Sequence, residues 1–275
     1  MDTVASSYAV STLLDRLGSP QAPLIIDVRL APTFESDTRL IAGATWRDPF
    51  LVSEWSKYLP RHRPVVVYCV HGFEVSRNAA HALRADGVDA RSLEGGIAAW
   101  REAGGPLLKK SSSPRIPSQD NAPSVWVTRE RPKIDRIACP WLIRRFIDPL
   151  AEFVYVPASE VLAYAKRHHA TPYDVPGVVF THRGEACSFD ALLADFDLRD
   201  GALADLAAIV RGADTGKLEL TAQSPGLLAI SLGLSRLYPD DHEMLAHGIT
   251  AYDALYAWLK GARDERHNAD LFKKA

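Results

Sequence analysis

The sequence predicts an α/β domain followed, across a linker, by a helix-rich α+β domain, and three observations carry that prediction. Two unbroken apolar runs, Leu24–Arg29 (LIIDVR) and Val65–Cys69 (VVVYC), read as strands of a parallel sheet covered on both faces. Helical apolar spacing follows the second of them. Between Pro106 and Ser124 (PLLKKSSSPRIPSQDNAPS), serine, proline and charge accumulate with no period of 2 or 3.6. This divides the chain into domains at 1–107 and 125–275, with 108–124 as linker.

Within the first domain, Asn78–Ala85 and Gly95–Glu102 show helical spacing, and Ala90–Leu93 is a third strand. Strands alternating with helices predict a parallel sheet flanked by helices, with right-handed crossovers. In the second domain the strands are Val125–Thr128, Phe153–Val156 and Val178–Thr181. Its helices are Ile134–Ile147, Glu160–Arg167, Phe189–Phe196, Ala202–Val210, Gly226–Leu237 and His242–Leu259.

Composition removes several functions. Of 275 residues, 47% are hydrophobic and 24% charged, an ordinary soluble balance. The net charge is −2, and Arg61–Pro64 (RHRP) and Ile143–Arg145 (IRR) are too short to form a basic stripe, so no nucleic-acid partner is expected. There is no 18-residue apolar run, and the beginning of the chain has no basic leader. Three cysteines without CxxC spacing fit a reducing compartment. The expectation is a cytoplasmic protein with no membrane partner.

Cys69 ends an apolar strand, and Val70–Ser76 then lead into a helix. In α/β sheets, ligands gather at such carboxyl ends. Backbone N–H groups and the positive end of the helix dipole favour a thiolate or a bound anion there. A thiol so placed is acidified and nucleophilic. Ser76 offers a helix cap, and Gly72 can take a positive φ. The competing reading makes Cys69 a small buried hydrophobe. Asp27, at the end of its strand, reads as a local ion-pair or backbone partner; the functional alternative has Arg29 lending positive charge to the anion site. His71 reads as a solvent-side loop residue.

The first domain resembles the rhodanese (sulfurtransferase) family in four pieces: LIIDVR (Leu24–Arg29), a degraded AGA (Ala42–Ala44), YCVHG (Tyr68–Gly72) and LEGGIAAW (Leu93–Trp100). The resemblance implies a persulfide on Cys69, with Arg29 and the loop Val70, His71, Gly72, Phe73, Glu74, Val75, Ser76 and Arg77 around the substrate. It implies a small anionic sulfur donor or oxyanion, a thiol or protein acceptor, and no cofactor for the transfer. The loop departs from the family by one extra residue before the helix, which widens the cradle and puts thiosulfate as donor in question. Seven residues separate Cys69 from Arg77, against five in the phosphatase pattern C-x5-R, so phosphatase chemistry has no support. Glu74 disfavours a dianion unless it points outward.

The second domain carries polar clusters inside apolar patterns: DRIACPWLIRRFIDP (Asp135–Pro149), FTHRGEACSFDAL (Phe180–Leu192), IVRGADT (Ile209–Thr215) and DDHEMLAHGITAYDALYAWL (Asp240–Leu259). Asp135 and Cys139 lie four apart on one helix face. His182, Glu185 and Cys187 crowd one turn, and His242 opens the last helix. These donors suit a divalent transition metal (zinc, iron or manganese), with His182, Glu185, Cys187, His242 and Asp135 as ligands. No HExxH or CxxC spacing supports it; Cys187 reads equally as core and His242 as a helix cap. His168 and His169 read as exposed residues at a helix end. The four clusters resemble the C-terminal domain of the chromate-resistance (ChrB-type) family, which implies a role in chromate sensing or resistance. Two functions follow. One is a rhodanese-type sulfurtransferase coupled to a chromate-resistance domain in oxyanion or oxidative-stress defence. The other is a non-catalytic oxyanion sensor acting through a partner.

Overall fold

The computed structural model describes residues 6–110 and 123–265. In the first segment the strands β1 (Ser7–Tyr8), β2 (Leu24–Asp27), β4 (Ala44–Trp46), β5 (Val65–Tyr68) and β6 (Ala90–Leu93) form one sheet in the order β1-β6-β5-β2-β4. Every pairing in it is parallel, as the continuous apolar runs require. The two faces sort by period 2. Leu24, Ile26, Val65 and Val67 pack with Ala79, Ala80 and Leu83 of α4 (Glu74–Ala85). Ile25, Val66 and Tyr68 join a larger core with Leu13 of α1 (Val10–Arg16) and Trp100 of α5 (Gly96–Glu102).

That larger core continues into the second segment. Trp126, Ile137, Trp141, Phe146 and Tyr256 belong to the same buried cluster as Ile25 and Tyr68. Backbone bonds cross the boundary too: Gly43 N–H donates to the Phe146 carbonyl at 2.6 Å, and Lys109 N–H to the Phe196 carbonyl at 2.8 Å. The sheet is therefore covered on this face partly by its own helices and partly by the second segment.

Most of the expected linker, residues 111–122, lies outside the described residues. Its beginning does not behave as linker: β7 (Leu107–Lys109) pairs antiparallel with β3 (Arg39–Ile41), and Leu108 is fully buried. Two leucines beside a strand edge outweigh the polar composition that follows them. At the other end, Ser124 is buried and its N–H and hydroxyl both donate to Asp148.

The second segment holds a small parallel sheet of β8 (Val125–Arg129), β9 (Glu152–Val156) and β10 (Thr171–Pro172), in the order β10-β8-β9. The strand expected at Val178–Thr181 does not form. Pro176 and Gly177 turn the chain, and only Phe180 keeps an isolated bridge to Tyr173. The helices are α6 (Asp135–Leu142), α7 (Val161–His168), α8 (Ser188–Asp195), α9 (Gly201–Asp214), α10 (Ser224–Leu237) and α11 (Asp241–Ala257). Helix α6 contains Pro140, which removes the N–H that would bond Arg136 four residues back. The Tyr173 hydroxyl donates to that carbonyl instead, at 3.4 Å. A π-helical turn, Ile143–Ile147, then ends the helix. His168 and His169 are exposed at the end of α7, as expected. Among the described residues no helix is long and apolar enough to cross a membrane.

Candidate functional site

Cys69 follows β5 at the carboxyl end of the sheet and is 8% exposed. The loop that wraps it is tied down from α5: Ile97 N–H donates to the Cys69 carbonyl and Ala98 N–H to the Val70 carbonyl, both at 3.0 Å. Such close approach needs glycine. A Cβ on Gly96 would sit 2.3 Å from the Cys69 carbonyl oxygen, and one on Gly72 would sit 2.5 Å from that of Leu93. Gly72 also holds φ +70°, which glycine adopts at no steric cost.

The thiol contacts the Ser76 hydroxyl at 3.3 Å. Burial pushes the thiol pKa up, but hydrogen bonds from the Ser76 hydroxyl and from the backbone N–H groups of Ser76, Phe73 and His71 outweigh it. The net position is below the ordinary thiol value. The other two cysteines contrast with this: Cys139 and Cys187 are fully buried, and burial beside Asp135 drives both thiols upward.

The other residues expected around the anion sort differently. Ser76 does not cap α4; Phe73 holds the cap position without a side-chain bond, and the Ser76 hydroxyl turns to the sulfur and the Phe73 carbonyl. Val70 is half-buried and Val75 lies in the first turn of α4. Glu74 is exposed, which removes the objection that an acid lies inside the cradle. His71 is exposed, as expected, with its ring 6.0 Å from Phe73. Arg77 is also exposed; its guanidinium lies over the Phe73 ring at 5.8 Å and lines a cavity of about 340 Å³ beside the loop. Arg29 does not serve the thiol. It is 2% exposed, and its guanidinium is spent on Asp27, Asp37 and the Arg39 carbonyl. Tyr68 completes that buried network by donating to Asp27 at 2.9 Å. Burial of two charges explains why the pair is local: separated, each would be left uncompensated in the core.

In the second segment the structure brings together two of the five expected metal ligands, His182 and Asp135, and adds two others, Asp174 and Asp214. His182 Nε2 lies 3.1 Å from Asp214, 3.4 Å from Asp174 and 3.6 Å from Asp135. One ligand atom each from Asp135, His182 and Asp214 fall within 4.8 Å of one another. Asp135 is 1% exposed at the start of α6 and faces the start of α8, accepting from Ser188 N–H at 2.6 Å and Phe189 N–H at 3.0 Å. Burial, then the nearby Asp214 and Asp174 charges, raise the Asp135 carboxyl to about 8. Burial and Asp174 raise Asp214 as well. Arg136 and Arg129 compensate Asp174. The arrangement offers three carboxylates and one imidazole, a hard, mixed donor set for a divalent cation.

Of the remaining expected ligands, Glu185 and His242 have partners of their own, and Cys187 borders the cluster without joining it. Glu185 is an exposed partner of Lys217. Cys187 is fully buried at the N-cap of α8, where Asp190 accepts its N–H. His242 stands at the start of α11 with its ring 5.5 Å from Tyr155. One signal for Asp214 was available: it ends α9, where the helix dipole disfavours an acid. Asp174 had none, since it sits in an irregular loop at φ +50°.

Residues 9–103 match the rhodanese-like domain model, and residues 126–259 match the model for ChrB, C-terminal domain. The chain joins a rhodanese-like domain to a ChrB C-terminal domain. Protein ChrB of Cupriavidus metallidurans is 35% identical over 139 residues, covering 50% of this chain and 41% of that protein. The chain thus spans about two fifths of the length of that curated relative. Among solved structures, a rhodanese-related protein from Thermoplasma volcanium is 30% identical over 37% of this chain and 95% of its own, with a TM-score of 0.33. The rhodanese-like domain of an Anabaena sp. protein is 30% identical over 44% and 93%, with a TM-score of 0.34.

Proposed function

We propose that the rhodanese-like domain is a sulfurtransferase working through a persulfide on Cys69, coupled to the ChrB domain in oxyanion or oxidative-stress defence. The observation that carries this reading is the setting of the sulfur, 3.3 Å from the Ser76 hydroxyl and facing backbone N–H groups at the carboxyl end of the sheet, which hold the thiol below its ordinary value. The thiolate attacks the outer sulfur of a sulfane donor, and the donor leaves as its anion. Cys69 then bears S–S⁻, stabilised by the same amides. A nucleophilic acceptor, such as a thiolate, attacks the terminal sulfur and returns Cys69 to the thiolate. Little proton movement is needed, which agrees with the exposed side chain of His71, whose backbone N–H alone serves the sulfur. The test is incubation of the full chain with a sulfane donor: wild type gains one sulfur on Cys69 and turns over, and Cys69→Ala does neither. Turnover that persists in Cys69→Ala overturns the proposal. Oxyanion binding that survives the substitution, with no turnover in wild type, would establish the sensor instead.

A second reading concerns the ChrB domain, where Asp135, Asp174, His182 and Asp214 would hold a divalent cation. It is supported by His182 Nε2 facing three carboxylates from separate elements. Elemental analysis of the purified full chain tests it: a stoichiometric metal should be lost in His182→Ala/Asp214→Ala, and a metal-free wild type that takes up no manganese, iron or zinc refutes it.

A further inference from the structure

The boundary between the two domains forms a second, open cavity of about 330 Å³. Arg39, Arg101 and the Gly104–Gly105 turn line it from the rhodanese-like side, and Asp197 and Arg199 from the ChrB side. Three guanidinium groups therefore meet one carboxylate in its wall. Asp197 serves two of them, Arg39 and Arg199. The acid that pairs with Arg101 is Asp37, and Asp37 is itself shared with Arg29. Arg29 has Asp27 as its own partner, so Asp37 and Asp197 stand against Arg39, Arg101 and Arg199, and one positive charge is left over at the cavity wall.

The hydrogen bonds leave the same surplus. Arg101 uses one N–H on Asp37, and Arg199 uses Nε and Nη2 on Asp197. Their other N–H groups have no protein acceptor among the described residues. A guanidinium presents five donors in a rigid fork, which matches the paired oxygens of an oxyanion. The wall is fixed from both sides, because Lys109 N–H donates to the Phe196 carbonyl and Arg39 pairs with Asp197 across the boundary.

We propose that this interdomain cavity binds a small divalent oxyanion of the sulfate or phosphate class, held by Arg101 and Arg199 from opposite domains. The site is separate from the Cys69 loop and independent of sulfur transfer. Its ligand adds a charge-assisted link between the domains.

The probe is sodium sulfate added to the isotope-labelled full chain, against sodium chloride at matched ionic strength, with amide resonances followed by NMR. Sulfate should shift the Gly104 and Gly105 amides saturably, and chloride should not. In Arg101→Ala/Arg199→Ala the affinity should fall at least about tenfold, the loss of two charge-assisted contacts. Both side chains are largely solvent-exposed, 42% and 83%, so the fold should hold. Arg101→Lys/Arg199→Lys, which keeps the charge and removes the fork, should give an intermediate loss. Unmoved Gly104 and Gly105 amides, or an affinity unchanged in both double variants, overturn the proposal. Sulfate that shifts only the His71 and Phe73 amides would place the anion at the thiol loop and overturn it equally.

Discussion

Ser76→Ala isolates the contact on which the chemistry of Cys69 rests. The Ser76 hydroxyl is fully buried and lies 3.3 Å from the sulfur. A hydrogen bond to a charged acceptor is worth about 1.5–3 kcal/mol, and the diffuse charge of sulfur places this one near the lower end. Losing about 1.4 kcal/mol of thiolate stabilisation lowers the thiolate fraction about tenfold at any pH below the titration midpoint. Alkylation of Cys69 by iodoacetamide should therefore slow about tenfold there and recover at alkaline pH, where wild type and variant are both ionised. Cys139 and Cys187 will not obscure the signal, because both are fully buried with thiols pushed upward. The single Ser76 O–H bonds the Phe73 carbonyl when it is not given to the sulfur, so urea denaturation below the titration midpoint should show a companion loss of about 1 kcal/mol. An unchanged rate in a folded variant would refute the reasoning. A rate depressed equally at all pH values would do so too, since it reports access to the sulfur and not its ionisation.

Three further outcomes follow. Gly72→Ala should cost roughly 2–4 kcal/mol in denaturant unfolding and abolish Cys69 acidification, because the new Cβ meets only backbone atoms at 2.5–3.0 Å while φ stays positive; near-wild-type stability would contradict it. Asp253→Ala should destabilise the ChrB domain by about 3 kcal/mol, since it strands the Trp141 indole N–H and both Arg145 contacts, all within 2.8 Å of that carboxylate; urea midpoints check it. Asp135 keeps its proton in the folded state up to about pH 8, above its unfolded value, so its contribution to stability is complete in acid and is lost as pH rises toward 8. Asp135→Asn should flatten that decline in a pH series of thermal melts, and a parallel decline in both proteins would assign it to another group.

The shared core bears on how the chain should unfold. Gly18, at the end of α1, faces the rings of Tyr256 and Phe146 so closely that a Cβ would fall 2.4–2.6 Å from them. Lys260 donates to the Leu14 carbonyl at 2.8 Å from the far end of the chain. Aromatic burial of this kind is worth about 1.5–3 kcal/mol per side chain, so the two domains stabilise one another.

The sequence by itself determined the elements whose apolar pattern is local. The runs LIID and VVVY became parallel strands, NAAHALRA became the body of a helix that starts four residues earlier, at Glu74, than its apolar spacing predicts, and Gly72 took the positive φ open to it. It also placed Cys69 at a strand end, because a run of β-formers followed by a glycine-containing loop fixes that position whatever lies around it. Only the tertiary structure decided which donors meet. Arg29 turned to Asp27 and Asp37 and not to the thiol, since a buried guanidinium must find its counter-charges in the core. Asp135, Asp174, His182 and Asp214 come from four places in the chain and converge through packing of α6, α8 and α9. The face of the sheet shared with the second domain is likewise a product of packing. Periodicity tells a residue whether it is buried, and long-range packing alone tells it against what.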